Sequence, residues 1–322
     1  MNSAFLSVIV CTYNRAGLLG KCLDSLVKQR IGPDRFEVIV VDNNSRDNTR
    51  EIAAQYQDKL TTLKYVFEGN QGLSYARNRG CAEAKAEYLI YLDDDAVVPP
   101  DYLSNIARVI EEYAPDIMGG PVYPYYTSRK PRWFKDEYET RKYQAESGFS
   151  TRGSVSGGNF IIRKSVLEKA GLFDVNLGMK GDKMDLGEER KVLELYRTAT
   201  PENAQKVYYA LECWVEHHVP PEKMTLGYIM KRSYIAGIKS RQIISVHHEN
   251  GADMVNRGFI ASSSRSLRNA ASKGYQNIRR HGLKGIDFVG MCRAGAMYAG
   301  IYIGANLEKL RPKKGNHGNR HS

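Results

Sequence analysis

Long apolar runs are missing from this sequence. Nowhere do its 322 residues form the stretch of about twenty apolar side chains that a membrane-spanning helix requires. Met1 to Leu6 carries no basic residue and the apolar run at 8–11 is far too short for a secretory leader, so no leader is expected. Paired cysteines are missing as well. Cys11, Cys22, Cys81, Cys213 and Cys292 include no C-x-x-C spacing, which argues against a disulfide frame or a zinc ribbon and fits a reducing, cytoplasmic setting. Acidic side chains are scarce at the far end. From Ser245 onward 13 Lys and Arg face 4 Asp and Glu, a surplus of nine within a net charge of +11. That segment is a separate electrostatic object, open to anionic headgroups, nucleic acid or plain solubility; no motif elsewhere asks for nucleic acid, and none is expected as a partner. A glycine-rich phosphate loop is also absent. The first strand-to-helix turn reads Cys11-Thr12-Tyr13-Asn14-Arg15-Ala16-Gly17, with one late glycine where a dinucleotide enzyme would have G-x-G-x-x-G.

What is present is a strand–helix alternation. Residues 6–11 form a short apolar strand, and Leu18, Leu19, Cys22, Leu23, Leu26 and Val27 recur at helical spacing behind it. The pattern predicts a second strand at 36–41, a helix from Asp47 to about Asp58, a third strand at 63–67, a helix at 73–84 and a fourth strand at 88–92. This order predicts an α/β fold with a mostly parallel sheet flanked by helices. The polar clusters at 12–15, 42–45 and 93–95 each fall at the carboxyl end of a strand, the ligand edge of an open sheet. In such a turn Tyr13 offers a ring, Thr12 its backbone and Asp42 an acceptor for base or ribose donors. Asp93-Asp94-Asp95 reads either as an acidic turn capping the next helix or as a set of hard oxygen ligands for Mg²⁺ or Mn²⁺. Asp93 and Asp95 share a side only if the strand stays extended between them.

Four motifs, in this order and spacing, carry a specific resemblance: Val8-Ile9-Val10-Cys11-Thr12-Tyr13-Asn14-Arg15; Val40-Val41-Asp42-Asn43-Asn44-Ser45; Asn70-Gln71-Gly72-Leu73-Ser74-Tyr75-Ala76-Arg77-Asn78; and Leu92-Asp93-Asp94-Asp95. The chain resembles family 2 glycosyltransferases of the GT-A fold over residues 5 to about 240. The resemblance implies an inverting, metal-dependent transfer of a sugar from a nucleotide-diphosphate donor, most often a UDP-sugar, to a glycan, lipid-linked or other hydroxyl acceptor in polysaccharide or glycoconjugate synthesis. It places Thr12, Tyr13, Asn14, Arg15, Asp42, Asn44 and Asn70 around the nucleotide, with Arg77 near it. Asp93 and Asp94 would serve the donor, and Asp95 would bind a divalent cation, Mn²⁺ or Mg²⁺. His217, in the context His217-His218-Val219-Pro220, would complete the coordination. Gly157, Gly158 and Asn159 would run beneath donor sugar and acceptor. Glu189 is the expected base, with Glu188, which would otherwise orient the acceptor, as the fallback. The motif's usual Asp stands here as Glu, one methylene longer.

Residues 1–244 are thus expected to form the catalytic domain, with a nucleotide half at 1–120 and an acceptor half at 121–244. Residues 121–156 lack clear periodicity and suggest a loop over the acceptor, with Trp133 and Phe134 exposed and Trp133 contacting the acceptor. Residues 224–240 read as a helix. The extension at 245–322 is expected to be basic and helical, with a disordered tail from Pro312. Its weakly apolar stretch at 288–307 either lies at a membrane surface, giving a peripheral contact, or packs on the catalytic domain. The adjacent His247-His248-Glu249 is expected to be solvated rather than a metal cluster. A non-catalytic nucleotide- or membrane-binding module on the same fold is the competing reading.

Overall fold

The computed structural model describes residues 6–150, 154–245 and 288–309. The chain divides into two compact units, Met1–Thr225 and Leu226–Ser322.

The first unit is built on an eight-stranded sheet in the order β3-β2-β1-β4-β9-β6-β10-β8. Its strands are β1 (Leu6–Thr12), β2 (Phe36–Asp42), β3 (Leu63–Phe67), β4 (Tyr88–Asp93), β6 (Ile117–Gly119), β8 (Gly148–Phe149), β9 (Asn159–Arg163) and β10 (Val207–Tyr209). The pairings of β1 with β2 and β4, of β2 with β3 and of β6 with β10 are parallel. β9 runs antiparallel between β4 and β6, and β8 runs antiparallel on β10, so six of the eight strands point the same way. The expected α/β class and mostly parallel sheet are borne out.

The strands read as unbroken apolar runs because both faces of the sheet are covered. Successive residues alternate between two cores. Val8 and Val10 of β1, Val38 and Val40 of β2, and Ile90 and Leu92 of β4 pack with the helices α1 (Ala16–Val27), α2 (Thr49–Ala54) and α4 (Tyr102–Tyr113). Ile9, Ile39, Val41, Leu89 and Tyr91 face the other way, against α3 (Leu73–Glu83), α5 (Lys164–Lys169) and α6 (Glu188–Ala199). At Gly80 of α3 a Cβ would run into the side chain of Ile9, so that helix lies directly on the sheet.

Three expectations need correction. α2 ends at Ala54 rather than near Asp58; the chain then turns so that Tyr56 can donate from its hydroxyl to the Gly20 carbonyl and to Asp24, both at 2.8 Å. Segment 121–156 is not without structure: it contributes β7 (Val122–Tyr125) and β8. Phe134 is 2% exposed, enclosed by the rings of Tyr126, Trp133 and Tyr138, so that of the expected exposed pair Trp133 alone is exposed, at 42%.

A smaller sheet, β5 (Ala96–Val97), β11 (Val215–His218) and β7, stands beside the carboxyl end of β4. Its register pairs His217 with Ala96, and the His218 amide donates to the Asp95 carbonyl at 3.0 Å. This small sheet delivers a distant histidine to the acidic turn.

In the second unit α7 (Leu226–Ser245) packs on α8 (Phe288–Lys309). The backbones touch at two glycines: a Cβ on Gly237 would meet the Met297 carbonyl, and one on Gly300 would meet that of Tyr234. Met297, Tyr298, Tyr302 and Ile303 of α8 are exposed. Among the described residues no helix is long and apolar enough to cross a membrane. His247-His248-Glu249 and the tail from Pro312 lie outside the described residues.

Candidate active site

The turns after β1 and β2 are stitched to each other. Asn14 (φ 51°) donates its amide to Ser45 Oγ at 2.9 Å and accepts from the Arg46 amide at 2.7 Å, while Asn44 (φ 67°) is exposed beside it. Both asparagines take the left-handed conformation that this residue type tolerates. Asp42 is buried and accepts from the Ser45 amide at 2.8 Å and from the Tyr65 hydroxyl at 2.7 Å, which orients it at the strand end. Thr12 Oγ1 is buried without a hydrogen bond among the described residues. Tyr13 is half-buried, its ring carbon 3.7 Å from where a Cβ on Gly181 would lie. Asn70 is exposed and bonded to Glu68. The buried Asn43, which the motif reading quoted but gave no role, holds these pieces together. Its Nδ2 donates to the Asn70 carbonyl at 2.6 Å, and its Oδ1 accepts from the Gly72 amide at 2.7 Å.

β4 ends at Asp93, and Asp94 and Asp95 occupy a turn before β5. The strand does not stay extended between the two outer carboxylates, and they converge through the turn instead. One ligand atom from each of Asp93, Asp95 and His217 lies within 4.8 Å of the others. His217 Nε2 is 3.1 Å from Asp95 Oδ1 and 3.5 Å from Asp93 Oδ2. Asp95 Oδ1 is nonetheless buried with no hydrogen bond of proper geometry among the described residues. A buried, unbonded carboxylate oxygen is costly, and this one faces an imidazole and a second carboxylate. That donor set suits a divalent cation, and the residues fit one.

Fixed positive charges surround the acidic turn. Arg15 Nη1 lies 3.1 Å from Asp94 Oδ1 and 3.2 Å from Asp95 Oδ2, and Lys223 Nζ lies 3.7 Å from Asp95 Oδ2. Burial, partly answered by Arg15 and reinforced by Asp95, raises Asp94 to about 6. For Asp93 burial also pushes upward, but His217 and Arg77 outweigh it and hold the carboxyl well below its ordinary value.

Arg77, which the motif places near the nucleotide, is buried beneath the acidic turn. It is 3% exposed, with Nη1 2.7 Å from Glu188 Oε1, and Nη2 donating to the Gly157 carbonyl at 2.9 Å and lying 3.6 Å from Asp93. The rings of Phe173 and Tyr91 lie 5.4 and 5.9 Å from its guanidinium carbon. So buried a charge persists only with its partners in place.

Gly157 and Gly158 form the floor between the two acidic regions. A Cβ on Gly158 would strike Asp93 Oδ2, and one on Gly157 would come 3.2 Å from both Arg77 and the Glu189 carboxyl carbon. Asn159, which the resemblance sets beneath donor sugar and acceptor, has its side chain turned to the protein interior. It is fully buried; its Oδ1 accepts from the Tyr102 hydroxyl at 2.7 Å and its Nδ2 donates to the Cys213 carbonyl at 2.7 Å, so its amide is used to join sheet and loops. Trp133 is exposed and stacks edge-on to Phe134; no described contact links it to the acidic residues.

Gly187 (φ 106°) leads into α6, whose first turn bears Glu188 and Glu189. Glu188 is buried and Glu189 half-buried. Burial and the neighbouring Glu189 charge, against the pull of Arg77, push Glu188 up to about 8. An acid with a folded pKa above its unfolded value binds its proton more tightly in the native state. Stability should therefore decline as pH rises from 4.5 toward about 8 and level off beyond. Urea midpoints measured across that window are expected to fall more steeply for the native chain than for Glu188→Gln; equal slopes would show that Glu188 is not the buried proton carrier.

The doubly covered α/β sheet with its acidic turn at the end of β4 is the architecture of a GT-A glycosyltransferase. Residues 7–171 match the profile described as Glycosyl transferase family 2, and the chain belongs to that family. It is 27% identical over 245 residues to Glucosyl-dolichyl phosphate glucuronosyltransferase of Haloferax volcanii, covering 73% of this chain and 76% of that one. A second curated relative, 32% identical over 182 residues, is matched over 59% of its length. The fold is shared with the mannosyltransferase PcManGT of Pyrobaculum calidifontis, solved with GDP-Man and Mn²⁺, at a TM-score of 0.61 and 18% identity over 97% of this chain and 89% of that one. It is shared also with S. aureus TarS 1-349, solved with UDP-GlcNAc, at 0.55 and 17% over 95% and 92%.

Proposed function

We propose that this glycosyltransferase moves a sugar from a nucleotide-diphosphate donor, foremost a UDP-sugar, to an acceptor hydroxyl with inversion. The observation that carries this reading is the convergence of Asp93, Asp95 and His217 on one point, joined across Gly157 and Gly158 to Glu189. Thr12, Tyr13 and Asp42 hold the nucleotide at the ends of β1 and β2, with Asn14, Asn43 and Asn44 keeping those turns in shape. Asp93, Asp95 and His217 would hold a divalent cation, which when bound would offset negative charge on the leaving diphosphate. Glu189 takes the proton of the incoming hydroxyl, on the side of the sugar away from the diphosphate. Glu188, pushed up to about 8 by burial and by Glu189 against the pull of Arg77, is the less suited of the two and instead anchors Arg77 beneath Asp93. A lipid-linked acceptor is supported by the Haloferax volcanii relative, whose name carries a glucosyl-dolichyl phosphate.

Screening UDP-glucose, UDP-galactose, UDP-GlcNAc and GDP-mannose with Mn²⁺ by thermal shift tests the reading. One of them should raise the melting temperature by about 2 °C or more and release its nucleoside diphosphate on turnover. No shift and no release with any donor would favour the non-catalytic module.

A further inference from the structure

Lys223 is assigned no part in the reaction above, yet it stands at its centre. It lies on the short turn Pro221–Met224, six positions after His217, where Pro220 and Pro221 stiffen the link between the two residues. Its side chain is 16% exposed, and its ammonium is 3.7 Å from Asp95 Oδ2. That distance exceeds a hydrogen bond, so the attraction between these two groups is one of charge. The opposite oxygen, Asp95 Oδ1, is the buried, unbonded one that faces His217 and Asp93. A divalent cation on that side competes with the ammonium for the same carboxylate and repels it as a like charge. The donor brings diphosphate oxygens to the same place, which supplies a new anion for the displaced ammonium. Arg15 also holds Asp94 and keeps that partner when Asp95 is engaged elsewhere. A lysine, with a rotatable point charge on a flexible stem, suits an exchange of partners better than a planar guanidinium fork does.

We propose that Lys223 is a binding residue for the leaving diphosphate, kept on Asp95 as a resident counter-ion until cation and donor arrive. The inference rests on the proposed function, since it needs a nucleoside diphosphate and a divalent cation at this site. It is tested on the full chain with two binding measurements. Mn²⁺ affinity in the absence of nucleotide is read from the paramagnetic resonance signal of free ion, and UDP and GDP affinity with saturating Mn²⁺ by calorimetry. Lys223→Met should bind Mn²⁺ alone at least about threefold more tightly, because a competing charge is gone. The same variant should bind the preferred nucleoside diphosphate about tenfold more weakly, the loss of one charge-assisted contact. Lys223→Arg should retain nucleotide affinity within about threefold of the native chain, as a like-charged replacement. Any other pattern overturns the proposal, whether both affinities fall together, as for a merely structural prop, or the nucleotide affinity stays unchanged. A native chain that binds neither UDP nor GDP with Mn²⁺ sinks the underlying reading first, before any variant is compared.

Discussion

Asp95→Asn is expected to lower sugar transfer about a thousandfold while the protein stays folded, because several kcal/mol of charge stabilisation at the leaving diphosphate depend on that carboxylate. Asparagine keeps the volume of the side chain in a site that is 3% exposed. It also removes one of three adjacent negative charges, so repulsion within the turn falls even as Arg15 and Lys223 lose an anchor. The two effects oppose each other, and the melting temperature should move by only a few degrees. Release of nucleoside diphosphate with Mn²⁺, measured for both proteins at equal concentration of folded chain, decides the matter. Undiminished release from the variant would remove Asp95 from the cation site.

Glu189→Gln should leave donor binding within about twofold and reduce transfer by about 10²- to 10⁴-fold, the range for losing a general base. The glutamine keeps the contact across Gly157 and alters only the ability to accept a proton. Glu188→Gln should behave differently. Burial pushes the native side chain up to about 8 against the pull of Arg77, which favours the neutral acid near neutral pH, and an amide oxygen can still accept from Arg77. Transfer in that variant should fall less than about tenfold. Calorimetric titration of donor and single-turnover transfer rates for both variants separate the roles. Loss of transfer in Glu188→Gln with retention in Glu189→Gln would exchange them.

The sheet edge was legible because its signals are local: an apolar run that stops at a polar cluster marks a strand's end whatever surrounds it. Asp42 and Asp93 end such strands, and Asp95 stands in the turn that follows. Asn43 carried no such signal for its role, since its partners at 68–72 come from a different connection and nothing in an asparagine's neighbours announces them. Arg77 is buried, and the sequence does carry a usable sign of that. It shares the stripe of α3 that buries Ser74, Gly80 and Cys81, at the three- and four-residue spacing of one helix face. A charge on such a stripe must find partners inside, and Glu188 and Asp93 are those partners. Lys223 could not be singled out, because its value lies in one distance to a residue more than a hundred positions away. Phe134 was read as exposed beside Trp133, since neighbouring aromatics in an aperiodic segment give no hint of which one turns inward.

The antiparallel insertion of β9 has a consequence for synthesis and for fragments of this protein. Strands β3, β2, β1 and β4 are all complete by Asp93, but the neighbour that covers β4 on its other side begins only at Asn159. Until about seventy more residues have left the ribosome, at roughly 5–20 residues per second, β4 is an apolar rim with unpaired backbone groups. A shortened chain ending before Asn159 would keep that rim permanently open and should stick to itself.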